Sequence, residues 1–202
     1  MEKLWYKKEA EVWDEALPIG NSRIGGMVFS GPVCDRIQVS EETLWSGYPQ
    51  KETREHSMEE IQSARALLRE QKWIEGMRAT ESTMLDQYTD AYLTYGTLFF
   101  ELTSSEHKIE NYRRELDMEH GLVKTYYDYN GSPIEKTAFV SLTDDVLVLH
   151  VKSPQYLFAK AYESVELEHR FVAERGELAC FGRCPTAVTT HLRRVEYEKE
   201  AF

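Results

Sequence analysis

Asn21-Ser22-Arg23-Ile24-Gly25-Gly26 has the outline of a glycine-rich phosphate loop, but a strand-forming run, Met27-Val28-Phe29, follows it where a helix would be needed, and it lacks a lysine. Nucleotide binding is therefore not expected. Two adjacent carboxylate pairs, Asp14-Glu15 and Glu41-Glu42, stand near Trp13 and Trp45. Neighbours on an extended chain point to opposite faces, so neither pair is a natural acid/base couple, and solvated surface is the expectation for both. The histidines His56, His107, His120, His150, His169 and His191 are dispersed, without an HxH or HExxH pair. No GxSxG elbow occurs, and no motif marks Cys34 as a nucleophile. Cys180 and Cys184 have a spacing that a metal could use, but no second Cys/His pair matches it. They are expected to be reduced, buried thiols, and no metal ligand is assigned. Trp45 leads into Ser46-Gly47-Tyr48-Pro49, a segment expected to be loop. A loop tryptophan either plugs the end of a sandwich, or meets the apolar face of a sugar or another domain.

The elements that must position these residues are mostly strands. Ile19 to Phe29 reads as a turn feeding a strand, Gly31-Pro32 punctuates it, and Arg36-Ile37-Gln38-Val39 alternates polar with apolar, which together predict a hairpin. From Tyr95 onwards short apolar segments recur: Gly96 to Leu102, Leu116 to Met118, Val123 to Tyr129, Ile134 to Leu142, Val146 to Val151, Leu157 to Leu167 and Leu178 to Gly182. Asn130-Gly131 is a tight-turn signal, with Ser132-Pro133 leaving the loop length open. Between these β regions Met58, Ile61, Ala64, Leu67, Leu68, Ile74 and Met77 recur at helical spacing. With Ser57 and Glu60 as a capping box, they predict one amphipathic helix over about 57–80. The expected class is mainly β, a large antiparallel β-sandwich with one prominent helix insertion.

Composition agrees with a folded domain. The 202 residues are 42% hydrophobic and 12% aromatic, enough for one substantial core and against disorder; 29% charged residues argue against a membrane protein. With 24 basic and 35 acidic residues the net charge is −11, which disfavours a nucleic-acid partner and suits a neutral ligand. Met1 to Gly20 contains no apolar run of leader length, so the chain as given is expected to be cytoplasmic. The alternating segment Val195 to Phe202 suggests a polypeptide cut from something longer.

The run Trp13-Asp14-Glu15-Ala16-Leu17-Pro18-Ile19-Gly20-Asn21, with Arg23, Gly25, Met27-Val28, Arg36-Ile37-Gln38, Glu41 and Thr43-Leu44-Trp45-Ser46-Gly47, resembles the opening of glycoside hydrolase family 95, whose known members are chiefly α-L-fucosidases. Asn111-Tyr112-Arg113-Arg114-Glu115-Leu116-Asp117 resembles a further stretch of that family's N-terminal β-domain, and Gly182-Arg183-Cys184-Pro185 a motif near its end. Ser40, Glu42 and Thr94-Tyr95-Gly96-Thr97 depart from the family's usual Asn, Asp and Pro-Leu-Gly-Asp.

The resemblance implies a large β-sandwich preceding an (α/α)6 barrel. That barrel holds a general acid Glu and the Asn/Asp group that activates water with inversion, carboxyl groups that must stand about 6.5–9.5 Å apart. None of those barrel positions occurs in this sequence, so no catalytic residue is carried over, and no metal or cofactor is implied. The expectation is an N-terminal domain over 1–202, inactive by itself, that packs on the helical barrel of the same polypeptide and borders a pocket for a fucosylated oligosaccharide. Asn21 and Arg23 would be hydrogen-bonding rim residues and Trp45 an apolar wall, unless Arg23 and Trp45 merely hold loops together. A standalone carbohydrate-binding or interaction module, and a related glycosidase such as an α-galactosidase, are the other readings. Without its barrel the chain is expected to expose an apolar patch and self-associate.

Overall fold

The computed structural model describes residues 2–47, 58–84, 90–102, 108–154, 159–165, 167–189 and 194–196. Ser57, Tyr48-Pro49, His56, His107 and His191 lie outside them.

The chain divides into two compact units. The first, residues 1–45 and 92–185, is the sandwich. One sheet has the order β1 (Lys3–Tyr6), β6 (Ile109–Asp117), β7 (Leu122–Tyr129), β8 (Ser132–Val140), β9 (Leu147–Lys152). The other runs β10 (Ala159–Ser164), β5 (Tyr92–Leu102), β4 (Cys34–Trp45), β3 (Ile24–Val28), β2 (Leu17–Gly20). Every pairing is antiparallel. A further hairpin, β11 (His169–Glu174) with β12 (Glu177–Gly182), belongs to the same unit.

Period-two patterning sets the inner faces. Along β7 the residues Val123, Thr125, Tyr127 and Tyr129 are buried and their neighbours are not. Leu17, Ile19, Val28 and Ile37 from one sheet meet Leu116, Val123, Ala138 and Val140 from the other in a single cluster. Fully burying an aliphatic side chain such as Ile37 contributes about 1.5–3 kcal/mol, whereas an exposed pair such as Lys108–Glu110 contributes at most about 1 kcal/mol. The apolar cluster therefore holds the sheets together. Asn130-Gly131 forms a two-residue turn with both φ angles positive (49° and 79°), and Ser132 already pairs with Tyr129.

The second unit, residues 46–91 and 186–202, contains α1 (Met58–Arg69), α2 (Trp73–Met84) and the two-stranded β13 (Ala187–Thr189) with β14 (Arg194–Glu196). Two helices stand where one was expected. Arg69-Glu70-Gln71-Lys72 interrupts the apolar stripe, and Gln71 takes φ 60° while the N–H groups of Gln71 and Lys72 donate back to Leu68 and Leu67 O. The two helices pack on each other. A Cβ at Gly76 would stand 2.6 Å from Leu68 Cδ2, so the absent side chain lets them approach. No helix among the described residues is long and apolar enough to cross a membrane.

Candidate functional site

Asn21 opens the turn between β2 and β3. Its Oδ1 accepts from the N–H of Arg23 (2.8 Å) and of Ile24 (2.7 Å), an Asx turn. Its Nδ2 donates to Ser141 O and to Asp145 Oδ1, both at 2.8 Å, on the loop between β8 and β9. One carboxamide thus ties a turn of one sheet to a loop of the other, with both of its donors engaged inside the protein. Arg23 Nε donates to Glu41 Oε1 at 3.1 Å, and its Nη1 lies 3.8 Å from Asp145 Oδ2. Glu41 Oε2 accepts from the Thr43 N–H (2.9 Å) and hydroxyl (2.5 Å). Glu41 is thus a braced, half-buried carboxylate, more than the plain solvated surface expected of it.

Trp45 ends β4 and is not in a loop, because it pairs with Tyr92 of β5 across a break in the ladder after Ser40. It does not plug the sandwich. The ring is 48% exposed, Nε1 donates to Glu42 O at 2.9 Å, and the Tyr92 ring, also 48% exposed, lies 5.2 Å away at a tilt of 60°. A fixed aromatic pair with open faces can stack on an apolar surface at little entropic cost. The structure places Asn21 and Arg23 in one polar network with Glu41, four residues before Trp45 on β4.

The Thr43 hydroxyl foremost, then the Thr43 N–H and Arg23, outweigh burial and hold the Glu41 carboxyl below the usual carboxylate range. A depressed native pKa means that this group stabilises the fold above its unfolded value, near 4.5, and that the contribution fades as pH falls below it. Urea denaturation at pH 7 is expected to show Glu41→Gln less stable than the parent, with the gap narrowing by pH 3. Asn21→Ala should cost about 1–3 kcal/mol at either pH, since the turn amides and Ser141 O lose their partner.

A second polar cluster escaped the reading of the sequence. Lys136 Nζ, 7% exposed, donates to Asp35 Oδ2 and to Gly31 O, each at 2.6 Å, and Asp35 Oδ1 accepts from the N–H groups of Gly31 (3.1 Å) and Arg36 (2.9 Å). Desolvation first, then the Asp35 charge, pushes the nearby Glu9 carboxyl up, and burial raises the Tyr112 and Tyr127 phenols. Arg114, 2% exposed, donates through Nε to Lys8 O and through Nη1 to Glu15 O, both at 2.7 Å. A signal was available. Lys136 shares its parity with Ile134 and Ala138, and Asp35 with Ile37, so the alternation that buries the apolar residues buries these two as well, whereas Arg114 begins a run, Arg114 to Asp117, that is buried at every position. Cys180 and Cys184 are half-buried, not buried, and Cys34 is exposed.

What this geometry defines is an antiparallel sandwich domain, several of whose described carboxylates brace turns and cations, with an open aromatic pair on the adjacent inner strands β4 and β5 of one sheet. The chain belongs to the family described as the glycosyl hydrolase family 65 N-terminal domain, which it matches over residues 4–198. It is 30% identical over 172 residues, 83% of its own length, to "Alpha-L-fucosidase 2" of Arabidopsis thaliana. Proteins called "Probable alpha-fucosidase A" from Aspergillus niger and Aspergillus oryzae are 25% identical over 83% of the chain and 26% over 74%. The chain spans about a fifth of the length of these relatives (20%, 21% and 21%).

Proposed function

We propose that this chain is the non-catalytic N-terminal domain of an α-L-fucosidase-like glycosidase of family 95 type. A helical barrel of the same polypeptide cleaves terminal α-L-fucosides with inversion, and this domain borders the pocket. The observation that carries the reading is the match to the Arabidopsis protein, which takes in 83% of this chain and only a fifth of that protein's length. On this reading Asn21, Arg23 and Glu41 hold the rim in shape, while Trp45 beside Tyr92 offers the apolar wall.

Hydrolysis of 4-nitrophenyl α-L-fucoside tests it. The 202-residue chain is expected to give no turnover, and the polypeptide translated from the complete natural reading frame is expected to be active. In that polypeptide Trp45→Ala should raise KM more than it lowers kcat, because a wall contributes to ground-state and transition-state binding alike. Turnover by the chain alone, or a complete polypeptide active on the α-D-galactoside and inert on the fucoside, overturns the assignment. Sedimentation should show the chain alone self-associating, since Trp5, Trp13, Trp45 and Phe181 are each about half exposed.

A further inference from the structure

The first sheet carries a cleft that the rim does not use. Between Glu110 and Arg113 the β6 ladder breaks, so Asn111 and Tyr112 oppose the single residue Tyr127, and Asn111 takes φ 54°. Such a bulge re-aims a side chain, and a non-glycine residue held in the left-handed region is a place to look for function. Here it brings Asn111 Nδ2 to 2.5 Å from Asp128 Oδ2. Beside the break a cleft of about 560 Å³ opens, lined by Tyr126, Asp128, Pro133, Glu135, Lys152 and Pro154 among others. Register places Tyr126 opposite Glu135, and Glu135 opposite Lys152, in one row across three strands on the face away from the core.

We propose that this cleft binds a neutral oligosaccharide. The ring of Tyr126 and the two prolines present apolar surface of the kind that meets the C–H face of a pyranose. Asp128 and Glu135 accept from hydroxyls, and Lys152 and the Asn111 carboxamide donate to them. Two carboxylates against one ammonium group repel phosphate and sulfate, and the mixed donors and acceptors would go unpaired against an apolar peptide. This site stands on the first sheet, whereas Trp45 stands on the second, and it does not depend on the fucosidase reading.

The test is a calorimetric titration of the 202-residue chain with 2′-fucosyllactose, cellotetraose and a xyloglucan heptasaccharide. At least one is expected to bind with millimolar or tighter Kd, roughly −4 kcal/mol or better. Tyr126→Ala should weaken that binding at least about tenfold. Lys152→Ala, at an exposed edge position, should weaken it as well and guards against misfolding of the first variant. Trp45→Ala should leave it unchanged. Absence of binding to all three sugars overturns the proposal, as does binding that survives both cleft substitutions. Loss of binding in Trp45→Ala alone would assign the sugar to the rim and sink the cleft, leaving the fucosidase reading in place.

Discussion

Asp35→Ala is expected to destabilise the sandwich by about 3–5 kcal/mol, the usual loss when one partner of a buried ion pair is removed. At roughly 2–4 °C per kcal/mol for a domain of this size, the thermal midpoint should fall by about 10 °C. The size of the effect follows from how much Asp35 does. One carboxylate neutralises Lys136 and also accepts from two backbone N–H groups, so its loss strands an ammonium group with Gly31 O as its remaining hydrogen-bond partner and orphans two amides. Lys136→Met should cost less, because Asp35 keeps both amide donors and the methionine stem fills most of the space. The double variant, Asp35→Ala with Lys136→Met, should be more stable than Asp35→Ala alone, since no unpaired charge remains buried. Equal losses for the two single changes would mean that the ion pair, and not the amide acceptance, dominates. The turn that this pair supports tolerates no side chain at Gly31, where a Cβ would lie 2.0 Å from Cys34 O.

Arg114→Met is the second large effect, expected at about 3–6 kcal/mol, because it removes two hydrogen bonds from one buried guanidinium, each worth about 1.5–3 kcal/mol when the donor is charged. Arg114 ties Lys8 and Glu15 to β6, and its guanidinium lies 4.4 Å from the Tyr6 ring centre. Its loss should therefore appear first as proteolysis between residues 8 and 15, ahead of global unfolding. Arg114→Lys should recover only part of the stability, since a single ammonium group cannot span two carbonyls held apart by a planar fork. Unchanged protease resistance in Arg114→Met would show that the segment is held by Ala10, Ala16 and Phe29, which cluster beneath it, and not by the arginine.

Most strands of the sandwich were legible wherever alternation was clean. β7 and β8, with Asn130-Gly131 between them, follow directly from period-two burial and from residues that accept positive φ. β6 was legible only at its end, because Asn111 bulges and Arg114 occupies an inward position where an apolar residue would have declared the strand. β11 failed to declare itself for the opposite reason. All six of its residues are exposed, so no buried face imposes a pattern. The helical segment was recognised, and the polar stretch Arg69 to Lys72 was the sign that it would break. At the rim, residue types pointed to Asn21, Arg23 and Trp45 individually, but Ser141 and Asp145, about 120 residues away along the chain, carry no local mark of their role.

By itself the sequence determined the class of fold, because hydrophobic period and turn chemistry are local properties of consecutive residues, and its motifs, not its periodicity, carried the resemblance to glycosidase domains. Tertiary structure alone decided which polar side chains would be buried and with whom. Asp35 and Lys136, or Asn21 and Asp145, become partners only when segments distant in the chain are stacked, and for the buried pair Asp35 and Lys136 desolvation then makes the pairing obligatory.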